Sequence, residues 1–330
     1  MRASRTSGAH ISAIITIIIW GTTFVSTKVL LRTYAPIEIL FFRFIIGYLA
    51  LSAVSIITGR GFSTFRLHAM RQELLLLGAG ISGVTLYFLL ENIALTYTLA
   101  ANVGVIVAIA PFFTAILCML TADKTATEER PTVRFFIGLL AAVGGIALMS
   151  FSGAKNLTIN PFGDFLAILA ALAWAVYSVL LKKIGMFISD TVAMTKRIFF
   201  YGLLCMTLVL KPLGFSPDMG RLARPENLFN ILYLGFGASA LCFVTWNRAV
   251  GILGALKTSV YIYLVPVVTV AASAIMLHEP VTFWSAVGTL LTIAGLFLSQ
   301  GRQIPERQTQ NRQKHTGVLS ETAKPQEVQP

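Results

Sequence analysis

Apolar stretches of about 20 residues recur along nearly the whole chain, and this recurrence limits its possible folds more than any other feature. A bilayer core about 30 Å thick takes about 20 helical residues to cross. The runs fall at 11–31, 36–58, 74–97, 100–121, 132–151, 161–181, 190–210, 228–250, 255–277 and 281–299. Only 12% of the 330 residues are charged and 56% are hydrophobic. Soluble domains carry about 25% charged residues, so this chain lacks the polar surface for a water-exposed body of its size. Strands of a membrane barrel would be shorter and would alternate apolar with polar residues, and Ile11 to Trp20 does not. The expected fold class is an all-α integral membrane protein with ten transmembrane helices and almost no soluble part.

The gaps between the runs carry turn and charge signals. Pro36, Pro131, Pro161 and Pro280 stand at the start of runs, where a missing N–H is harmless. With the N-terminus inside, sixteen Lys and Arg fall in inner segments, among them Arg5, Arg60, Lys124, Lys183 and Arg302. Five fall outside: Arg32, Lys155, Lys211, Arg221 and Arg224. The positive-inside rule therefore puts both termini in the cytoplasm, as an even number of spans requires. Residues 1–10 form a short cytoplasmic N-terminus. No small-residue cleavage site follows Ile11–Ile19, so the first run reads as an uncleaved span. The polar segment 301–330 cannot bury a core and reads as a disordered cytoplasmic tail. The net charge of +12 sits in these gaps rather than on a basic stripe, which argues against nucleic acid. Cys118, Cys205 and Cys242 lie within apolar runs and form no metal or disulfide pattern.

The chain repeats itself. Residues 80–114 match 235–269 without a gap, with Gly80/Gly235, Leu86/Leu241, Phe88/Phe243, Asn92/Asn247, Ala94/Ala249, Pro111/Pro266 and Thr114/Thr269 among the identities. Further on, Glu129/Glu279, Gly138/Gly288 and Gly145/Gly295 correspond; upstream, Trp20 to Lys28 has the spacing of Trp174 to Lys182. Each copy, 11–151 and 161–300, holds five spans. Five is odd, so the second copy enters the membrane from the opposite side. The result is two inverted five-helix repeats related by a pseudo-two-fold axis in the membrane plane, a plan typical of secondary transporters. Duplication can also record ancestry alone, and inverted repeats occur in channels.

The motifs resemble the drug/metabolite transporter superfamily, specifically its EamA-like family. The resemblance rests on Trp20-Gly21-Thr22-Thr23-Phe24 with Lys28, Ala173-Trp174 with Lys182-Lys183, Pro111-Phe112-Phe113-Thr114 and Pro266-Val267-Val268-Thr269, over about residues 11–300. It implies a bacterial inner-membrane carrier, often an exporter of amino acids, metabolites or drugs. It also implies that helices one, three and four of each half surround the pathway. The family often has Gly before its loop Glu, where this chain has Glu128 and His278.

Ionisable groups within spans are costly and usually face a cavity or a partner. Lys28, Arg43, Glu91, Arg197, Arg248 and Lys257 are the candidates. Glu91 can pair with Lys28 or Arg43, carry a transported proton, or hold helices together. Lys257, the span-nine counterpart of Asn102, can meet an anionic solute group or snorkel to headgroups. Asn92 and Asn247 can bind solute or glue helices. Trp20 and Trp174 read as repeat-related cavity aromatics or as packing. Of Tyr261 and Tyr263, at most one faces the pathway, since residues two apart point to different faces. The expected pathway set is thus Trp20, Lys28, Glu91, Asn92, Asn102, Trp174, Asn247, Lys257 and Tyr261. Pro111 and Pro266 are kinks that can serve as gating hinges or stay static.

The four His residues do not cluster and no HExxH or paired carboxylates occur, so an embedded enzyme has no motif behind it, and without a P-loop an ATP-driven pump does not fit. No cofactor or metal is expected. The function expected is secondary transport by alternating access of a small solute, with protons as candidate coupling ion. The resemblance favours export; a passive pore or a membrane-embedded enzyme is the alternative.

Overall fold

The computed structural model describes residues 2–59, 69–97, 103, 106–121, 131–153, 160–276 and 282–299. All regular structure among them is helical, and apart from the short helix Met219–Leu222 it forms ten membrane helices. These are α1 Arg2–Leu30, α2 Pro36–Ile57, α3 Met70–Tyr97, α4 Ala110–Leu120, α5 Val133–Gly153, α6 Pro161–Ile184, α7 Thr191–Leu210, α8 Pro225–Leu253, α9 Ala255–Met276 and α10 Phe283–Ser299. Five stretches, Pro36–Ile57, Met70–Ala94, Pro161–Ile184, Thr191–Leu210 and Pro225–Leu253, are long and apolar enough alone to cross a membrane; Ala110–Leu120, Val133–Leu148, Ala255–Val268 and Ala286–Ser299 are shorter apolar helices.

Local chemistry sets the helix ends. Asn160 accepts a hydrogen bond from the Gly163 N–H, and Asp190 from those of Val192 and Ala193, ahead of α6 and α7. Before α2, Ala35 has no acceptor of its own, and Glu38 instead reaches back to its N–H at 2.7 Å. Gly254, with φ 90°, is the sole residue between α8 and α9, a conformation that disfavours any side chain. In the α7–α8 connection Arg221 donates to the Thr33 carbonyl at 2.8 Å and to Asp218 at 3.0 Å. That second bond holds the Asp218 carboxyl below the ordinary carboxylate range.

The helix faces separate lipid from protein. On α1, Ile11, Ile14, Ile15 and Ile18 are exposed, while Ala9, Ala13, Thr16 and Ile17 are buried. One difference from the sequence reading is that α1 begins at Arg2, so most of the expected N-terminal tail continues the first helix.

Packing runs mainly between the halves. Helix α1 lies on α8 and α9, and its repeat mate α6 lies on α3 and α4; α2 meets α8 as α7 meets α3. Most closely joined are α5 and α10. A Cβ at Gly145 would lie 2.5 Å from the Gly288 carbonyl oxygen, and one at Gly295 would lie 2.5 Å from that of Gly138. Gly138/Gly288 and Gly145/Gly295 are repeat mates, so each glycine meets the mate of the other glycine. A second such crossing joins α3 to α7 and α2 to α8. A Cβ at Gly80 would sit 2.7 Å from Gly202 N and 2.8 Å from Ile198 O. A Cβ at Gly235 would sit 3.4 Å from Arg43 O, and one at Gly47 would sit 3.3 Å from Gly235 O. Gly47 and Arg43 are thus the mates of Gly202 and Ile198. Reciprocal contacts of this kind are the mark of a two-fold axis.

Helices α3 and α8 share one irregularity. Each holds a π-helical stretch, Ile81–Leu86 and Tyr233–Leu241, at matching places next to these glycine crossings. π-bulges in α-helices frequently mark functional sites.

Candidate functional site

The axis runs through a cluster of aromatic rings. Three repeat-mate pairs touch one another: Trp20–Trp174 at 5.3 Å between centroids, Phe44–Phe199 at 5.0 Å and Phe88–Phe243 at 6.2 Å. A residue meets its own mate only near the axis. Trp246 joins the cluster 5.2 Å from Trp20 and 5.9 Å from Trp174, and Tyr87 and Tyr177 flank Trp174 at 4.8 and 5.2 Å. The tilted and edge-to-face arrangements suit the ring quadrupoles.

Polar groups enter this cluster in specific places. Glu91, on α3, accepts a hydrogen bond from the Tyr87 hydroxyl at 3.2 Å and stays part-accessible. Arg43, on α2, donates through Nε to Ser239 Oγ at 3.0 Å, and its guanidinium lies 4.5 Å over the Phe88 ring. Among the described residues no ion pair links Arg43 to Glu91. The side chain of Lys28, the other expected partner, lies outside the described residues.

The three indoles differ. Trp20 Nε1 donates to the Ala238 carbonyl at 3.0 Å. The Nε1 groups of Trp174 and Trp246 are buried with no acceptor among the described residues. At the mate of Ala238, Gly83, the Tyr177 ring fills the space of the missing Cβ. Unsatisfied buried donors carry a penalty of about 1–3 kcal/mol each, so they mark places where a ligand's acceptor is favoured.

The repeated asparagines also part ways. Asn247 accepts from Tyr177 at 2.8 Å and donates to Thr195 at 2.9 Å, tying α8 to α6 and α7. Asn92 is buried too, but among the described residues it sits in no such chain. Toward the N-terminal face, His10 Nδ1 meets the Tyr261 hydroxyl at 2.5 Å, joining α1 to α9. Tyr263, two residues on, packs instead with Phe135 and Leu296. Lys257 lies one turn before Tyr261, part-buried. On the same face Arg197 pairs with Glu73 at 2.6 Å, while Arg248 is exposed. Asn102 lies outside the described residues.

The prolines stand at breaks rather than within smooth helices. Pro111 occupies the first turn of α4, after a turn at Ala108–Ile109. Pro266 follows the 3₁₀ stretch Val260–Tyr263 inside α9. Both positions tolerate a residue without an N–H.

Sequence reasoning brought Trp20, Trp174 and Glu91 into view, and the fold gathers them in one cluster. It missed Trp246, Tyr177, Tyr87 and the phenylalanines of the axis. One signal was available for Trp246: at the spacing of Asn92/Asn247 it is the repeat mate of Glu91.

Comparison with known proteins agrees with this architecture. The EamA-like transporter family model matches residues 7–151 and again 161–300. An uncharacterized transporter of Archaeoglobus fulgidus is 28% identical over 297 residues, covering 90% of this chain and 99% of the relative. The uncharacterized transporter YyaM of Bacillus subtilis is 26% identical, covering 85% and 90%. A protein of Streptantibioticus cattleyicolor named a probable terminal-alkyne amino-acid exporter is 25% identical, covering 89% and 94%. One crystal structure shares the fold with TM-score 0.72 at 19% identity, over 90% of this chain and 99% of that one. With both halves matched by one family model and an architecture of two interlocked five-helix copies, the chain belongs to the EamA-like transporter family, whose members are membrane transporters and not enzymes.

Proposed function

We propose that the protein is a secondary carrier that moves a small amphipathic solute by alternating access, with the solute bound at the aromatic cluster between the halves. The observation that carries this reading is the meeting of repeat mates at Trp20/Trp174, Phe44/Phe199 and Phe88/Phe243, with the buried Arg43 and the part-accessible Glu91 beside them. Inverted repeats place the substrate at the repeat interface and let one half rock against the other. Trp20, Trp174, Glu91 and Asn92 belong to the solute pathway, with Asn247 supporting it. The His10–Tyr261 contact closes the N-terminal mouth and Lys257 lines its approach; the sequence assigns Lys28 and Asn102 to the same pathway. The breaks at Pro111 and Pro266 act as hinges.

The excess of Lys and Arg in alternate connections supports cytoplasmic termini in an inner membrane. Cysteines introduced at Lys155 and Lys183 label from opposite sides if the halves are inverted; labelling from one side refutes the arrangement. Export of amino-acid-like solutes draws support from the named exporter among the relatives.

Exchange in proteoliposomes tests the carrier. A labelled neutral amino acid preloaded on one side is expected to speed its own uptake from the other. A pore gives flux without this trans-stimulation. Glu91 supplies the proton site, so Glu91→Gln is expected to slow pH-driven flux by about tenfold, or about 1.4 kcal/mol, and to flatten its pH dependence. An unchanged rate and pH profile excludes Glu91 from coupling.

A further inference from the structure

Arg43 is a buried cation that the packing does not require. It is 6% exposed on α2, and its repeat mate on α7 is Ile198, which is fully buried. The two positions have equivalent backbone surroundings. The backbone of Arg43 faces Gly235 as the backbone of Ile198 faces Gly80, and the same glycine crossings flank both. An aliphatic side chain therefore satisfies this position in the second half. In the first half, a guanidinium has been taken out of water instead, which is unfavourable without compensation.

The compensation within the protein is partial. Among the described residues Arg43 uses Nε on the neutral Ser239 hydroxyl and lies over the Phe88 and Phe44 rings at 4.5 and 5.4 Å. Cation–π contact engages the face of the guanidinium, not its edge. Nη1 and Nη2 have no protein acceptor among the described residues, and no carboxylate forms an ion pair with them. Those two nitrogens are the fork that matches a planar oxyanion. Nearby, Tyr87 packs on both Phe88 and Trp174, each at 4.8 Å, so Arg43 shares one aromatic wall with the acceptor-less indoles of Trp174 and Trp246. Cation, spare N–H donors and ring faces together favour a ligand with an anionic planar head and an apolar body.

We infer that Arg43 is the anion subsite of the solute centre, and that the solute carries a carboxylate received by Nη1 and Nη2 with its apolar part against Phe88, Tyr87 and Trp174. This rests on the aromatic cluster being the solute site, as proposed above. Glu91, on the same wall, disfavours a second anionic group and restricts the subsite to a single carboxylate.

Binding to the purified full-length protein in detergent micelles tests this without any transport step. The probes are phenylacetate, 2-phenylethanol and phenethylammonium, measured by isothermal titration calorimetry. Wild type is expected to bind phenylacetate at least tenfold more tightly than the alcohol. Arg43→Ile, which copies the mate residue, is expected to erase that preference while keeping affinity for the alcohol. An unchanged preference in Arg43→Ile, or tightest binding of phenethylammonium by wild type, overturns the proposal. Should Arg43→Ile not yield monodisperse protein, Arg43→Gln is read by the same criterion. Exchange failing with carboxylate selectivity intact counts against the carrier alone; selectivity unaffected by Arg43 with exchange intact counts against the subsite alone.

Discussion

The seam between α5 and α10 and the centre between α3 and α8 descend from the same duplication, yet they have diverged to very different degrees. At the seam the copies still agree: Gly138 and Gly145 meet Gly295 and Gly288, and in each contact a Cβ would strike backbone of the other half. At the centre they disagree. Glu91 corresponds to Trp246, Arg43 to Ile198, and Tyr87 to Cys242. The difference has a physical cause. A reciprocal backbone crossing imposes the same steric limit on both copies, so neither can change alone. Side chains that face a shared interior need only complement each other, and a solute without two-fold symmetry rewards unlike walls. Symmetry in this molecule thus belongs to the scaffold, and asymmetry belongs to the proposed solute centre.

Substitutions at adjacent glycines give the largest expected effect. In Gly145→Ala the new methyl would lie 2.5 Å from Gly288 O and 2.7 Å from Thr292 N, so the helices must part; a loss of about 1–3 kcal/mol or more is expected. Gly144→Ala meets nothing closer than Leu291 at 4.0 Å and is expected to stabilise by up to about 1 kcal/mol through helix propensity. Thermal unfolding in detergent measures both. Equal behaviour would mean that the α5–α10 contact yields to a methyl group.

A smaller split is expected between the repeated asparagines. Asn247→Ala leaves the Tyr177 and Thr195 hydroxyls without their buried partner and should destabilise by about 1–2 kcal/mol. Asn92→Ala breaks no such chain and should fall well below that in the same melts. A larger loss at Asn92 would reverse the comparison and shift the structural role to the first half.

The smallest effect separates the indoles. Trp20→Phe removes the bond to Ala238 O and should lower stability by about 0.5–1.5 kcal/mol beyond its packing loss. Trp174→Phe removes a donor that has no acceptor among the described residues, so only the packing loss is expected in the solute-free protein. Matching losses from the two would show that Trp174 Nε1 is satisfied after all.

Much of the architecture was legible in the chain. Runs such as Pro161–Ile184 are long and apolar enough to define membrane helices whatever they pack against. The odd number of spans per repeat implied inversion before any contact was known. Glu91 stood out because a carboxyl is rare in a lipid-facing run. Its surroundings were less legible. Lys28 and Arg43 were both within range by depth along the helices, but depth says nothing of rotation about the helix axis. The structure turns the Arg43 side chain onto Ser239 and Phe88. Asn92 and Asn247 looked equivalent, and only the placement of Tyr177 and Thr195 tells them apart.

By itself the sequence determined the solvent, the number of crossings and the duplication, because hydropathy, length and self-similarity are properties of the chain read in order. The tertiary structure alone decided which mates touch, which indoles lack acceptors and which charges stay unpaired. Those depend on how ten helices are rotated and interleaved, and such long-range geometry is set by reciprocal packing between residues more than a hundred positions apart, such as Gly80 and Gly202.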